Sequence, residues 1–110
     1  VHEETHPAET RVVREGDYDD CMYLIVEGMV RITKGETILA TLGPKDFFGE
    51  MAVFEGDTRS ATGISETEVR LLRLDRDDLL YLMEELPTIA IRICQTLSRR
   101  VRNTTDRVRS

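Results

Sequence analysis

The sequence contains no tryptophan, and three phenylalanines with three tyrosines bring its aromatic content to only 5%. That leaves little surface for stacking nucleic-acid bases. Its two cysteines, Cys21 and Cys94, lie far apart and give no disulfide framework. They read as a reduced thiol pair, so a cytoplasmic location is expected. Having only His2 and His6 as histidines argues against the metal sites that small β-barrels often build from imidazoles. No run approaches the roughly 18 apolar residues of a membrane span, and no secretory signal precedes the first strand-like segment. What remains is a 110-residue chain, 40% apolar and 33% charged. It suits one domain spanning residues 1–110 and is too short for a kinase or a channel. It starts at Val1 without a methionine, as a piece of a larger protein would.

The charge is divided. Residues 1–91 carry nine Lys/Arg against twenty Asp/Glu, or −11, whereas residues 92–110 carry six Arg against one Asp, or +5. An acidic body argues against direct nucleic-acid binding. Six arginines near one end read as a solvated helix face or an inter-chain charge match.

Up to about residue 74 the pattern is of short strands separated by glycine turns. Arg11–Glu15 ends at Gly16-Asp17. Met22–Val26 turns at Glu27-Gly28 into Met29–Thr33, and Lys34-Gly35 turns that into Glu36–Leu42. Arg59–Ser65 and Glu68–Leu74 resume the pattern. Such spacing predicts antiparallel hairpins in a sandwich or barrel. The period then changes. Asp75 is placed as a helix N-cap with Asp78 three residues on, Leu79, Leu82, Met83 and Leu86 recur at helical spacing, and Pro87 stops the run. A second helix begins near Thr88 and continues towards Val108. Ile89 and Ile93 share one line on it. Ala90, Cys94, Leu97, Val101, Thr104 and Val108 follow a heptad seam, which predicts a homodimer through this helix.

His2-Glu3-Glu4-Thr5-His6 matches the HExxH pattern of zinc proteases, but Pro7 closes it at once and no third histidine follows. The zinc chemistry needs both histidines on one face of a stable helix. Alternation makes the segment equally a first strand, with His2 and His6 on one face. No metal site is assigned.

The informative stretch runs from Phe48 to Ala61. Gly49 lets backbone approach closely. Glu50–Phe54 is long enough for about one helical turn, whose first N–H groups lack partners and favour an anion. Arg59 lies past a glycine-containing return, and its planar fork suits phosphate oxygens. Ser60 adds a hydroxyl, and Glu50 is an acceptor that repels phosphate and needs a donor such as a ribose hydroxyl. The set describes a ligand with one anionic group and one nearby hydroxyl. An equally simple reading is a Glu50–Arg59 ion pair bracing a loop between turn glycines.

Phe48-Gly49-Glu50-Met51-Ala52, followed by Arg59-Ser60-Ala61, resembles the phosphate-binding cassette of cyclic nucleotide-binding domains. These include the bacterial catabolite activator and the regulatory subunits of the cAMP-dependent protein kinase. Glu15-Gly16-Asp17 and Tyr23–Val30 are similar to the family's upstream hairpin. Leu86-Pro87 with the arginine-rich segment is similar to its hinge and C-terminal helices. The resemblance implies that Arg59 binds the exocyclic oxygens of the cyclic phosphate, that Glu50 accepts from the ribose 2′-OH and that Gly49 admits the sugar. Met51 and Ala52 would offer N–H groups to the phosphate, with Ser60 and Ala61 completing the ligand set. The stretch Arg99–Thr105 resembles the activator's C-terminal helix, so Arg100, Thr104 and Thr105 become the candidate base contacts. Ser60 after the arginine resembles cAMP-preferring members. Glu55 and Asp57 would place acid near the phosphate.

The expected fold is therefore α+β: an antiparallel, jelly-roll-like β-roll over residues 1–74, a short cassette helix, and C-terminal helices over residues 76–108. The expected function is a sensor for cAMP or cGMP, not an enzyme, acting on an effector outside this chain. A nucleotide-free interaction domain of the same fold is the competing expectation.

Overall fold

The structure, a computed structural model, describes residues 2–50, 53, 56, 58–88, 91, 92, 94–96 and 99. Among these residues eight strands are formed: β1 (His2–His6), β2 (Arg11–Val13), β3 (Met22–Glu27), β4 (Val30–Lys34), β5 (Thr37–Leu42), β6 (Phe47–Phe48), β7 (Thr62–Ser65) and β8 (Val69–Leu74); helix α1 spans Arg76–Glu85. They build two four-stranded sheets, ordered β1-β8-β3-β6 and β2-β7-β4-β5. Every pairing is antiparallel. The roll is open, with β1, β6, β2 and β5 as sheet edges.

The hairpins sit where the glycine turns place them. Two elements differ from the expectation. Phe47–Phe48 is a two-residue strand pairing with Leu24 and Tyr23, too short to show a period of its own. The strand expected to begin at Arg59 begins only at Thr62. Before it, Arg59 is tied to the β2–β3 connection: its N–H donates to Asp17 O at 2.7 Å, and Gly16 N–H donates to Arg59 O at 2.8 Å.

Register explains the core. Tyr23 lies opposite Phe48, and Ile25 opposite Leu71, so all four share one face of the first sheet. The buried cluster is Val13, Tyr23, Ile25, Val30, Phe48, Val69 and Leu71, with Val12, Ile32 and Leu42 packed against it. Tyr23 and Phe48 stack with centroids 5.3 Å apart. Each fully buried aliphatic side chain in this cluster contributes ~1.5–3 kcal/mol. Gly63 in β7 permits the close packing, since a Cβ there would meet Val13 Cγ2 at 3.1 Å and Phe48 Cε2 at 3.4 Å. The first sheet is buried on its other face too, where Met22 pairs with Leu74 and Leu24 with Phe47.

Contacts divide the chain into two units, residues 1–78 and 79–110, with α1 crossing the division. Asp75 caps α1 as expected. Asp78 N–H donates to Asp75 Oδ1 at 2.8 Å, and Asp75 N–H donates to Asp78 Oδ2 at 3.3 Å, a reciprocal capping box. In the second unit Leu86 N–H donates to Leu82 O at 2.8 Å. Pro87, expected only as a stop, is itself helical and restarts the helix, since a first-turn residue needs no N–H. Leu79 is buried, while Leu80, Tyr81, Leu86 and Ile91 are exposed. Of the heptad seam, Cys94 is helical and exposed. Ala90, Leu97, Val101, Thr104 and Val108 lie outside the described residues, as do Ile89 and Ile93.

Candidate functional site

The HExxH segment is strand β1, and its register settles what the histidines do. His2 lies opposite Arg73 and His6 opposite Val69, four residues apart along one face. At the rise of a strand that is about 13 Å, out of range for one metal ion. His6 Nε2 instead meets Glu4 Oε1 at 2.9 Å.

The cassette residues meet around a cavity of about 80 Å³. Gly49, Glu50, Arg59, Ser60 and Ala61, all proposed from the sequence, line it. Met51, Ala52, Glu55, Asp57, Arg100, Thr104 and Thr105 lie outside the described residues. Glu50 and Val53 are helical, where the cassette turn was expected. The rest of the lining comes from Val13, Ile32, Phe48, Thr58 and Thr62, which sequence reasoning missed. Alternation marks Val13, Ile32 and Phe48 as inward-facing, but not that the inner face opens into a cavity at this end. Thr62 Oγ1 is already used, accepting from Glu15 N–H at 3.0 Å.

Arg59 organises the site. Its residue is 5% exposed, a rare placement for a guanidinium that needs partners to offset desolvation. Nη1 donates to Gly49 O at 3.1 Å, and Nη2 donates to Cys21 O at 2.6 Å. Nη2 also lies 3.4 Å from Asp19 Oδ2. One carboxylate beside Arg59 is thus on the β2–β3 connection, forty residues away in sequence. The guanidinium carries five N–H donors in a fixed fork. The one on Nε is buried and has no hydrogen-bond partner among the described residues. Gly49 makes the arrangement possible in a way the sequence did not indicate. It sits at φ +83°, and a Cβ there would collide with Arg59 Nη1.

The electrostatics around Arg59 follow from burial and charge. Burial alone would raise the Asp19 carboxyl, but the Cys21 thiol, the Arg59 charge and the Asp20 N–H outweigh it and hold its pKa below the ordinary value. Burial pushes the Cys21 thiol up, against an opposing hydrogen bond from Arg73 Nε at 3.1 Å. Burial, reinforced by the charge of Glu4, raises the Tyr23 phenol to about 12. Cys21 therefore serves as a neutral, packed residue whose carbonyl holds Arg59.

An arginine held inside a β-roll, beside a glycine, a buried carboxylate and a serine, offers donors and an acceptor around one cavity. The family profile described as "Cyclic nucleotide-binding domain" matches residues 3–86. The chain belongs to the cyclic nucleotide-binding domain family. It is 34% identical over 100 residues to a CRP-like cAMP-activated global transcriptional regulator of Mycobacterium tuberculosis, covering 86% of this chain and 45% of the relative. It is 42% identical over 90 residues to a cyclic nucleotide-gated potassium channel of Rhizobium etli, covering 82% of this chain and 25% of the channel. The crystal structure of the Thermus thermophilus catabolite activator protein superposes with a TM-score of 0.81 at 32% identity, covering 94% of this chain and 51% of that one. The chain thus spans about half the length of the two regulators, and a quarter of the channel. Among the described residues, no helix is long and apolar enough to cross a membrane.

Proposed function

We propose that this cyclic nucleotide-binding domain is a cAMP sensor that regulates an effector and does no chemistry of its own. The observation that carries the reading is the buried Arg59 with an unpartnered Nε, facing a cavity shared with Gly49, Glu50 and Ser60. An unsatisfied buried donor costs about 1–3 kcal/mol, and a phosphate oxygen would recover it. Arg59 binds the exocyclic phosphate oxygens, and Glu50 accepts from the ribose 2′-OH. Ser60 and Ala61 close the phosphate side together with the N–H groups of Met51 and Ala52. Arg100, Thr104 and Thr105 are the proposed base contacts on the C-terminal helix. That helix also supplies the proposed homodimer seam. The choice of cAMP over cGMP is supported by Ser60 and by the named activator of the Mycobacterium tuberculosis relative. Ligand shifts the sensor's equilibrium only by its difference in affinity between the two states.

Calorimetric titration with cAMP and cGMP tests ligand and base together. Arg59→Lys keeps a charge but loses the fork, and should weaken cAMP binding by roughly 2–5 kcal/mol, as for breaking a desolvated charge pair. Unchanged cAMP affinity in a folded Arg59→Lys protein would remove Arg59 from the phosphate. Tighter binding of cGMP than of cAMP would overturn the base assignment.

A further inference from the structure

A second cavity lies on the β2 side of Arg59. It measures about 140 Å³ and is lined by Arg11, Arg14, Asp17, Tyr18, Asp19 and Arg59, with Val12 and Val13 behind. Among the described residues it shares only Val13 and Arg59 with the cassette cavity.

A β-bulge creates it. Between Arg11 and Val13 the register advances two residues on β2 but only one on β7, with Arg11 opposite Ile64 and Val13 opposite Gly63. In a regular strand, residues three apart point to opposite faces, so Arg11 and Arg14 would be separated by the sheet. The extra residue reverses the parity. Val13 turns into the core, and Arg11 and Arg14 come to line the same cavity.

The charge balance there favours an anion. Asp19 is engaged with Arg59 at 3.4 Å. Among the described residues, neither Arg11 nor Arg14 has an ion-pair partner. The lining therefore holds two arginines without an ion-pair partner among the described residues against one remaining carboxylate residue, Asp17. The third arginine, Arg59, is buried and lines this cavity as well. Two arginines lining one small cavity supply planar forks of the kind that suit a tetrahedral oxyanion in multidentate contact. A long polyanion is disfavoured by the −11 carried on residues 1–91.

We propose that this cavity binds a single phosphate group through Arg11 and Arg14, with Arg59 as its buried wall. The site stands without the proposed nucleotide; only its coupling to the nucleotide rests on that reading. Two anions flanking one arginine repel, so phosphate here weakens cyclic nucleotide binding, and the reverse holds equally.

The test is a titration of inorganic phosphate into the nucleotide-free protein, followed by calorimetry and phosphorus NMR, with sodium chloride balancing ionic strength. The paired variant Arg11→Gln, Arg14→Gln is measured beside it. Wild type should saturate, and the variant should bind phosphate about tenfold more weakly or worse, while its cAMP affinity in phosphate-free buffer stays within about twofold. Phosphate should raise the apparent cAMP Kd of wild type and leave that of the variant unchanged. A phosphoserine peptide in a parallel arm separates the sources. Tighter binding of the peptide assigns the site to a phosphorylated partner, and tighter binding of the free ion assigns it to a metabolite. Absence of saturable phosphate binding overturns the site. So does equal binding by the variant, which would place the ion in the cassette cavity.

Discussion

Gly49→Ala isolates the packing of Gly49 against Arg59. The substitution acts twice. Gly49 occupies φ +83°, and the left-handed region costs a residue with a Cβ about 1–2 kcal/mol. The new methyl also lands on Arg59 Nη1 and approaches both Arg59 Cζ and Cys21 O at 3.3 Å. The guanidinium must leave its bond to Gly49 O, and a hydrogen bond from a charged donor is worth about 1.5–3 kcal/mol. Together these give about 2.5–5 kcal/mol, a large part of the stability of a small domain. Urea unfolding followed by circular dichroism should show a lower midpoint at unchanged slope. The two contributions separate in a double-mutant cycle with Arg59→Met, which keeps the stem and removes the guanidinium. In that background Gly49→Ala should cost only the backbone strain, about 1–2 kcal/mol. The same full penalty in both backgrounds would refute the collision, and a penalty below about 1 kcal/mol in wild type would refute the strain as well.

Two further outcomes follow from hydrogen bonds at the ends of elements. Asp75→Ala removes the acceptor for Asp78 N–H and should cost about 0.5–2 kcal/mol, read as a lower thermal midpoint; an unchanged midpoint would show that the cap contributes nothing. Asp19 has its folded pKa below the ordinary value, so its contribution is complete above the unfolded pKa of about 3.9 and fades as pH falls through the folded value. Asp19→Asn should therefore destabilise at pH 6 or so, with the gap from wild type closing below about pH 4; a gap independent of pH would mean that the carboxylate charge is not what holds Arg59.

Much of the roll could be read from local signals. Gly28 and Gly35 mark real turns because their neighbours alternate cleanly, and Asp75 with Asp78 caps a helix within four residues of chain. Gly49, Glu50, Arg59, Ser60 and Ala61 do line one cavity, and their grouping came from the resemblance more than from spacing. The contact between Arg59 and Asp19 was not legible. Asp17, Asp19 and Asp20 are equivalent to any local rule, and only the fold decides that Asp19 reaches the guanidinium. The bulge in β2 was equally hidden, since Arg11-Val12-Val13-Arg14 reads as plain alternation interrupted by one apolar residue. Strand β6 was missed because two residues have no period. In each case the deciding contact joins segments at least ten residues apart, where composition and spacing carry no information.

The acidic body and the proposed anionic ligand appear opposed, and the opposition makes a prediction about salt. Residues 1–91 carry −11, so a cyclic phosphate approaching from solvent meets repulsion at long range. On the proposed binding mode the attraction that holds it is short in range and comes from Arg59, which is 5% exposed and therefore poorly screened. Mobile ions reach the first interaction and not the second, with a Debye length near 30 Å at 0.01 M and about 10 Å at 0.1 M. Raising sodium chloride across that range should speed association of cAMP in stopped-flow experiments, while the equilibrium affinity holds or tightens. A surface basic patch behaves in the opposite sense, losing affinity steeply as salt displaces its advantage. A fall of about tenfold in cAMP affinity over the same range would mean that exposed cations, and not the buried Arg59, supply the binding energy.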